Sequence, residues 1–304
     1  MLEINKNKKY YCWACDYSDN TGEGNLARLF IEKNYSSNSC RVYTIKKVFH
    51  NEKVTNIINY KYISPFIGVI FCWYYFIKGK RVIYINYLPL WNFLLFIILP
   101  PKTILGPITG GANYSYGKQF IIRNYFFPIF YVISNIFLEL RNTKKIFSTN
   151  LLKKNLFRNT RNNSKFNYIF NFINEKKNRK KEIDFLIYYN KHKNKEKFFP
   201  YEFIYMLLKN KFKIYVFGDY LNITNLYNLG YLKNFEVQEK LAKTKYSLVS
   251  GENFYSIYTL ECINNHVKVL VDCKFKKEIK YFKKSFLLLD FKKNITKKEL
   301  INLK

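Results

Sequence analysis

Short runs rich in Ile, Val, Tyr and Phe alternate with longer stretches of helical period along most of this chain, and that alternation most narrows its fold. In the first half, residues 9–14, 41–45, 81–86, 102–105 and 145–148 read as strands. Residues 25–34, 65–78, 89–99 and 118–140 read as the helices between them. Strand and helix taking turns, with turn residues at each junction, predict a parallel sheet covered on both faces. The pattern resumes with strands at 182–189, 211–217, 245–249 and 267–272 and helices at 201–209, 236–243 and 256–265. Residues 149–181 are polar and basic with little period, so they read as a connector. The expected organisation is α/β throughout: an N-terminal domain over 1–148, the connector, and a C-terminal domain over 182–304. A last helix at 297–303 either stays with the second domain or crosses back to the first.

At 48% hydrophobic and 20% aromatic residues, the composition excludes a disordered chain. The charge is extreme: 52 Lys and Arg against 21 Asp and Glu give +31. Such a field attracts nucleic acid, an acidic membrane face or phosphorylated small molecules. A second reading is compositional drift, since Lys, Asn, Ile, Phe and Tyr dominate together, as in coding by an AT-rich genome. Six cysteines and a start without the basic-then-apolar pattern of a secretory signal make a reduced cytoplasm the expected compartment. Cys12 and Cys15 form a Cys-Trp-Ala-Cys pair, yet no second pair or His cluster completes a zinc site, so no metal is expected.

Three apolar stretches raise the membrane question. Residues 66–77 and 93–99 are too short to span, and 120–140 contains Arg123, Asn124, Pro128 and Asn135, which breaks the run of about 20 apolar residues a span requires. A buried core helix and an amphipathic helix lying on a membrane both remain open.

The most informative segment is 250–272, Ser-Gly-Glu-Asn-Phe-Tyr-Ser-Ile-Tyr-Thr-Leu-Glu-Cys-Ile-Asn-Asn-His-Val-Lys-Val-Leu-Val-Asp. It follows a strand, turns at Gly251 and starts a helix near Ser256, a good N-cap residue. The free amides of Ser256, Ile257 and Tyr258 then suit a phosphate at the carboxyl edge of the sheet. Glu261, about one turn deeper, is an acceptor-only group fit for the two hydroxyls of a ribose.

This order of strand, turn, acidic residue, aromatic run, Leu-Glu and second strand resembles the donor-binding signature of family 4 glycosyltransferases of the GT-B class. The family spaces its two glutamates eight residues apart, whereas counting back eight from Glu261 lands on Asn253, with Glu252 one place earlier. The resemblance implies that Glu261 holds the donor ribose, that Glu252 or Asn253 touches the transferred sugar, and that Tyr255 and the start of the helix line the donor.

The flanking segments resemble the same family. Residues 211–218 (Lys-Phe-Lys-Ile-Tyr-Val-Phe-Gly) and 229–232 (Leu-Gly-Tyr-Leu) are similar to the strand and base-binding turn that precede the signature, which implicates Gly218 and Tyr231. Residues 184–197 resemble the strand and loop whose cations grip the donor diphosphate, with Lys191 in one position and Lys195 or Lys197 in the other. Two ammonium groups stabilise a departing diphosphate, though without bidentate geometry.

In the N-terminal half, residues 19–28 (Asp-Asn-Thr-Gly-Glu-Gly-Asn-Leu-Ala-Arg) follow the first strand and open a helix. Gly22 and Gly24 allow close backbone approach to a ligand, but the third Gly and the downstream acid of a dinucleotide fingerprint are missing. This loop resembles the first loop of these transferases, which faces donor phosphates and acceptor. Residues 105–114, with Gly110 and Gly111, resemble their acceptor-side Gly-Pro-x-x-Gly-Gly loop. None of His50, His192 and His266 sits where the family often carries a histidine near the reacting centre.

The resemblance spans residues 10–272. It implies a GT-B architecture, two Rossmann-like domains with parallel sheets facing across a cleft, and a retaining, metal-independent, cofactor-free transfer from a nucleotide-diphosphate sugar. The implied acceptor is a hydroxyl of a lipid-linked or surface-polysaccharide intermediate. Peripheral contact with the anionic inner face of a membrane is expected, and nucleic acid is not an expected partner. Two rivals stand: an inverting fucosyltransferase-like GT-B enzyme, since Glu252-Asn253 and Thr259-Leu-Glu261 are similar to that family's elements, and a non-enzymatic basic protein that holds RNA or a membrane.

Overall fold

The structure, a computed structural model, describes residues 9–18, 21–36, 38–45, 60–110, 121–141, 143–174, 176, 179–191, 196, 198–251 and 253–302. The chain divides into two compact units, Met1–Ile169 and Phe170–Lys304.

The first unit is built on β1 (Tyr10–Ala14), β2 (Cys40–Tyr43), β3 (Arg81–Ile85) and β4 (Ile104–Leu105), all parallel, in the order β2-β1-β3-β4. A bridge from Ile108 to Phe147 carries the pattern on toward β5 (Lys145–Ile146). The helices are α1 (Gly22–Asn34), α2 (Tyr60–Ile77), α3 (Phe93–Ile98) and α4 (Phe127–Leu140), the last preceded by a π-helical stretch, Ile122–Phe126. From β1 to β2 the chain steps one way across the sheet; from β2 through β3 to β4 it steps the other way. Right-handed crossovers therefore put α1 on one face and α2, α3 and α4 on the opposite one.

The core follows that division. Side chains alternate along a strand, so Trp13 of β1 and Val82 and Tyr84 of β3 point to one face. There they join Val69 and Cys72 of α2, Leu95 and Phe96 of α3 and Tyr131 and Leu138 of α4 in one buried cluster. Gly68 makes the α2 contact possible, since a Cβ there would lie 2.3 Å from the Trp13 ring. Arg141, just past α4, donates to the carbonyls of Phe96, Leu99 and Pro100 at 2.5–3.1 Å. It thereby satisfies backbone acceptors that the end of α3 leaves over.

Residues 151–169, which read as connector in the sequence, fold with this unit. Leu152, Leu156 and Thr160 are buried, and β6 (Ser164–Lys165) pairs with β5. The helix here, α5 (Arg158–Asn162), is little more than one turn, too short to print a period on the sequence.

The second unit is a parallel sheet of β7 (Ile183–Tyr189), β8 (Ile214–Gly218), β9 (Tyr227–Asn228), β10 (Thr244–Leu248), β11 (Lys268–Asp272) and β12 (Phe286–Leu289). Its order is β12-β11-β10-β7-β8-β9. Four of these strands match the expected ones; β9 and β12 were not anticipated, being short and set among polar or basic residues. The helices are α6 (Tyr201–Lys209), α7 (Asn234–Ala242), α8 (Ile257–Asn264) and α9 (Lys297–Asn302). Both units are thus α/β with parallel sheets, as the sequence predicts.

The last helix lies on the second unit. Leu300 is buried, its carbonyl accepts from the Tyr246 hydroxyl at 3.2 Å, and Lys297 pairs with Asp184 at 3.2 Å.

Candidate functional site

In the second unit the chain runs from β7 to β8 on one side, and β10 lies on the other side of β7. The strand order reverses at this point, and ligands of open parallel sheets bind in the crevice outside the carboxyl ends of such strands. The loops that leave β7 and β10 flank it. They touch, because the Gly251 amide donates to the Phe198 carbonyl at 3.2 Å.

On the β7–β8 side, Gly218 ends β8 with φ +100, and a Cβ there would lie 2.2 Å from the Tyr189 carbonyl oxygen. Only glycine fits. The next residue, Asp219, accepts the Lys191 amide at 2.6 Å through Oδ2 and the Tyr231 hydroxyl through Oδ1. These bonds hold the Asp219 carboxyl below the usual range, the Tyr231 hydroxyl first and the Lys191 amide second. Lys191 and Tyr231 are exposed. Three predicted residues, Lys191, Gly218 and Tyr231, are therefore brought together by a fourth, Asp219.

On the β10 side, Ser256 caps α8 as expected, its Oγ accepting the Thr259 amide at 3.2 Å. The amides of Ile257 and Tyr258 have no intrahelical acceptor, as at any helix start. The Tyr258 side chain points into the protein, donating to the Leu186 carbonyl at 2.6 Å, and burial pushes its phenol well up. Between the two sides lies Tyr188, whose ring sits 5.2 Å from Phe217 and 5.9 Å from Tyr258. Among the described residues, the buried Ser250 hydroxyl has no hydrogen-bond partner. A cavity of about 130 Å³ lies on this side, lined by Phe198, Val249, Gly251, Phe254, Asp272 and Phe275 among others.

Other predicted residues do different work. Asn253 closes its own turn, Oδ1 accepting the Tyr255 amide at 3.0 Å. The Tyr255 hydroxyl accepts the amides of Lys280 and Tyr281 at 2.8 and 2.9 Å, and its ring packs on Phe170, Tyr281 and Phe286. That side chain braces the loop before β12. Glu261 is mostly buried, and burial raises its carboxyl to about 7, opposed by the Lys176 ammonium and a hydrogen bond from Gln238. Lys176 and Asn265 both donate to Gln238, at 2.6 and 3.0 Å, so Glu261 belongs to a polar cluster between α7 and α8. Lys195, Lys197, Glu252, Gly111, His50 and His192 lie outside the described residues.

In the first unit the corresponding reversal lies between β1 and β3. Asn86, fully buried with φ +52, ties the two loops there. Its Oδ1 accepts the Cys15 amide at 2.9 Å, and its Nδ2 donates to the carbonyls of Asp16 and Glu23 at 2.5 and 3.2 Å. Thr21 caps α1, accepting the Gly24 amide at 3.0 Å and donating to Asp16 at 2.6 Å. A Cβ on Gly24 would lie 2.1 Å from the Ser18 carbonyl oxygen, so this glycine serves the packing of its own loop. Gly22 opens α1 and is exposed; Gly110, φ +118, sits in the loop after β4. Cys12 and Cys15 are both free, and burial pushes both thiols up, Cys15 to about 11. No group of three His, Cys, Asp or Glu among the described residues is arranged to hold a metal ion.

A larger hollow, about 510 Å³, lies at the amino ends of β5 and β6, lined by Lys144, Lys145, Asn163 and Lys165 among others. That is the opposite edge from the one where parallel sheets bind ligands, so the crevice of the second unit is the better candidate.

Sequence reasoning missed Asp219, Tyr188 and Asn86. Asp219 had a signal, an acid directly after a strand-ending glycine. Tyr188 and Asn86 carry none, since each reads locally as one more strand residue.

No protein-family model and no curated protein matches this chain. Among solved structures it is similar to the E. coli heptosyltransferase WaaC with ADP-2-deoxy-2-fluoro heptose, at 9% identity, over 97% of this chain and 98% of that one, with a TM-score of 0.37. At that level the likeness adds nothing on function, and the fold assignment rests on the two parallel sheets themselves.

Proposed function

We propose that this chain is a glycosyltransferase that takes a sugar from a nucleotide-diphosphate donor and passes it to a hydroxyl of a lipid-linked or surface-polysaccharide acceptor. The observation that carries the reading is the crevice of the second unit, where Lys191, Asp219 and Tyr231 are held together on one side of a strand-order reversal and α8 starts on the other, with the Tyr188 ring between. The amides of Ile257 and Tyr258 and the α8 dipole suit a diphosphate. The Lys191 ammonium neutralises charge as the diphosphate departs. Tyr231 offers an exposed ring to stack on a base.

The motif resemblance to family 4 adds retention of configuration and independence of metal to this proposal. It also extends the donor site to Glu261 and, through Glu252 or Asn253, to the transferred sugar. A thermal-shift screen against nucleotide sugars of varied base and sugar tests the reading, followed by transfer to a labelled acceptor and assignment of the product anomer. The expected result is a rise in melting temperature with one donor class. No shift with any donor, together with salt-sensitive RNA binding, would overturn it in favour of a basic binding protein.

A further inference from the structure

The face of the first unit that carries α2, α3 and α4 is covered by apolar side chains on its outer side as well as its inner one. On α2, Phe66, Ile70, Trp73, Tyr74 and Ile77 are exposed, a spacing of 4, 3, 1 and 3 that makes one helical stripe. On α4 and the π-helical turn before it, Ile122, Tyr125, Phe126, Ile129, Val132 and Ile136 form another. Trp91, Leu94 and Ile97 of the α3 segment lie between. The stripes are continuous, because the Trp73 indole donates to the Ile98 carbonyl at 2.7 Å, and Trp91 and Phe93 pack on Phe127 and Phe130.

The middle of α4 is reversed in polarity for a helix on a water-exposed face. Ser134 and Asn135 there are fully buried, bonded to the carbonyls of Leu90, Tyr131 and Asn155, while Ile129 and Ile136 are 56% and 46% exposed. An outward apolar face of this extent marks a contact surface.

The charge around it selects the occupant. From Lys53 to Asn174 the chain holds sixteen Lys and Arg and a single acid, Glu139. Glu139 is turned to the Thr160 amide and hydroxyl, at 3.2 Å each. Cations sit at the edges of the stripes: Lys78 lies over the Tyr74 ring at 4.0 Å, Arg123 over Phe127 at 5.4 Å, and Lys80 and Lys102 are exposed. A second copy of the chain would bring the same acid-free rim against itself, like charge facing like. No helix among the described residues is long and apolar enough to cross a membrane.

We infer that this face docks on the surface of an anionic lipid bilayer, the three helices lying in the plane of the interface with Ile, Phe and Trp side chains among the acyl chains and the lysines at the headgroups. Both terms act in the same direction, since each buried apolar group adds to the hydrophobic gain and each lysine near the surface adds attraction to the anionic headgroups. The inference stands apart from the donor site and needs no nucleotide sugar.

The chain carries its own probes. Trp13 is buried in the core, while Trp73 and Trp91 are on the face. The full chain is mixed with vesicles of phosphatidylcholine and phosphatidylglycerol, or of phosphatidylcholine alone, and read by co-sedimentation and tryptophan emission. Expected are binding to the anionic vesicles that weakens with salt, a blue shift, and quenching by brominated acyl chains. The double substitution Ile70→Glu with Ile129→Glu, at exposed positions, lowers partitioning about tenfold or more with circular dichroism unchanged. Absence of binding to anionic vesicles, absence of quenching in the unsubstituted chain, or binding that the folded double variant keeps would each overturn the inference. So would a dimer that this variant disperses without any vesicle binding.

Discussion

Asp219 Oδ2 accepts the backbone amide of Lys191 at 2.6 Å, which fastens the loop leaving β7 to the carboxyl end of β8. The bond involves the main chain of Lys191, so its side chain is left to act elsewhere. Asp219→Ala and Lys191→Ala therefore separate two roles. Asp219→Ala frees the loop and releases Tyr231, and donor affinity falls about tenfold, the scale of a charge-assisted hydrogen bond. On the proposed function, Lys191→Ala keeps the loop and removes an ammonium that would matter most as the diphosphate leaves, so kcat is expected to fall more than donor affinity. Calorimetry of donor binding beside steady-state kinetics checks both.

Glu261 gives stability a pH dependence of known sign. Its carboxyl is raised by burial to about 7 in the fold, against about 4.3 in an unfolded chain. Between those values the folded state holds the extra proton, so stability is full below about 4.3 and declines as pH rises through 7. Glu261→Gln removes this decline, and at pH 8 the variant is more stable than the parent by about 1 to 3 kcal/mol. Urea melts at pH 5 and pH 8 measure it. Donor titration of the same variant tests the ribose contact that the family resemblance implies: a ten- to hundredfold loss supports it, and unchanged affinity leaves Glu261 a brace between α7 and α8.

Asn86 is fully buried, and from the end of β3 its side-chain amide bonds to Cys15, Asp16 and Glu23 in the segment after β1, across the strand-order reversal of the first unit. Asn86→Ala leaves those backbone groups without partners and puts alanine at φ +52, which asparagine tolerates better. The cost is about 2 to 4 kcal/mol. Hydrogen exchange should rise first at the amides of Cys15 and Asp16.

Arg141→Met keeps most of the side-chain volume but strips the carbonyls of Phe96, Leu99 and Pro100 of their donor. Burial lowers the guanidinium to about 10, so it stays charged at neutral pH and the loss is that of a charge-assisted contact. A drop of about 2 to 4 kcal/mol in a denaturant melt is expected. The end of α3 loosens with it, which exchange at the amides of residues 96–99 would show.

Local pattern alone determined much of this protein. Strand-length runs such as 183–189 and 268–272 and the period of 201–209 and 257–264 are written in consecutive residues, because burial on a sheet face or a helix stripe imposes a repeat. Ser256 as a cap and Gly218 at a strand end were legible for the same reason, each answering a backbone demand within a few residues of itself. What the sequence left open was decided by tertiary structure, through contacts between residues far apart in the chain. Residues 151–169 join the first unit because Leu152 and Leu156 find its core, although their helical pieces are too short to show a repeat. Glu261 and Tyr255 turn to Gln238 and to the loop at 280–281, partners set by how α7, α8 and β12 pack. On α4 the same packing faces Ser134 and Asn135 inward and Ile129 and Ile136 outward, a direction that hydrophobic period alone cannot assign when both sides of a helix are apolar.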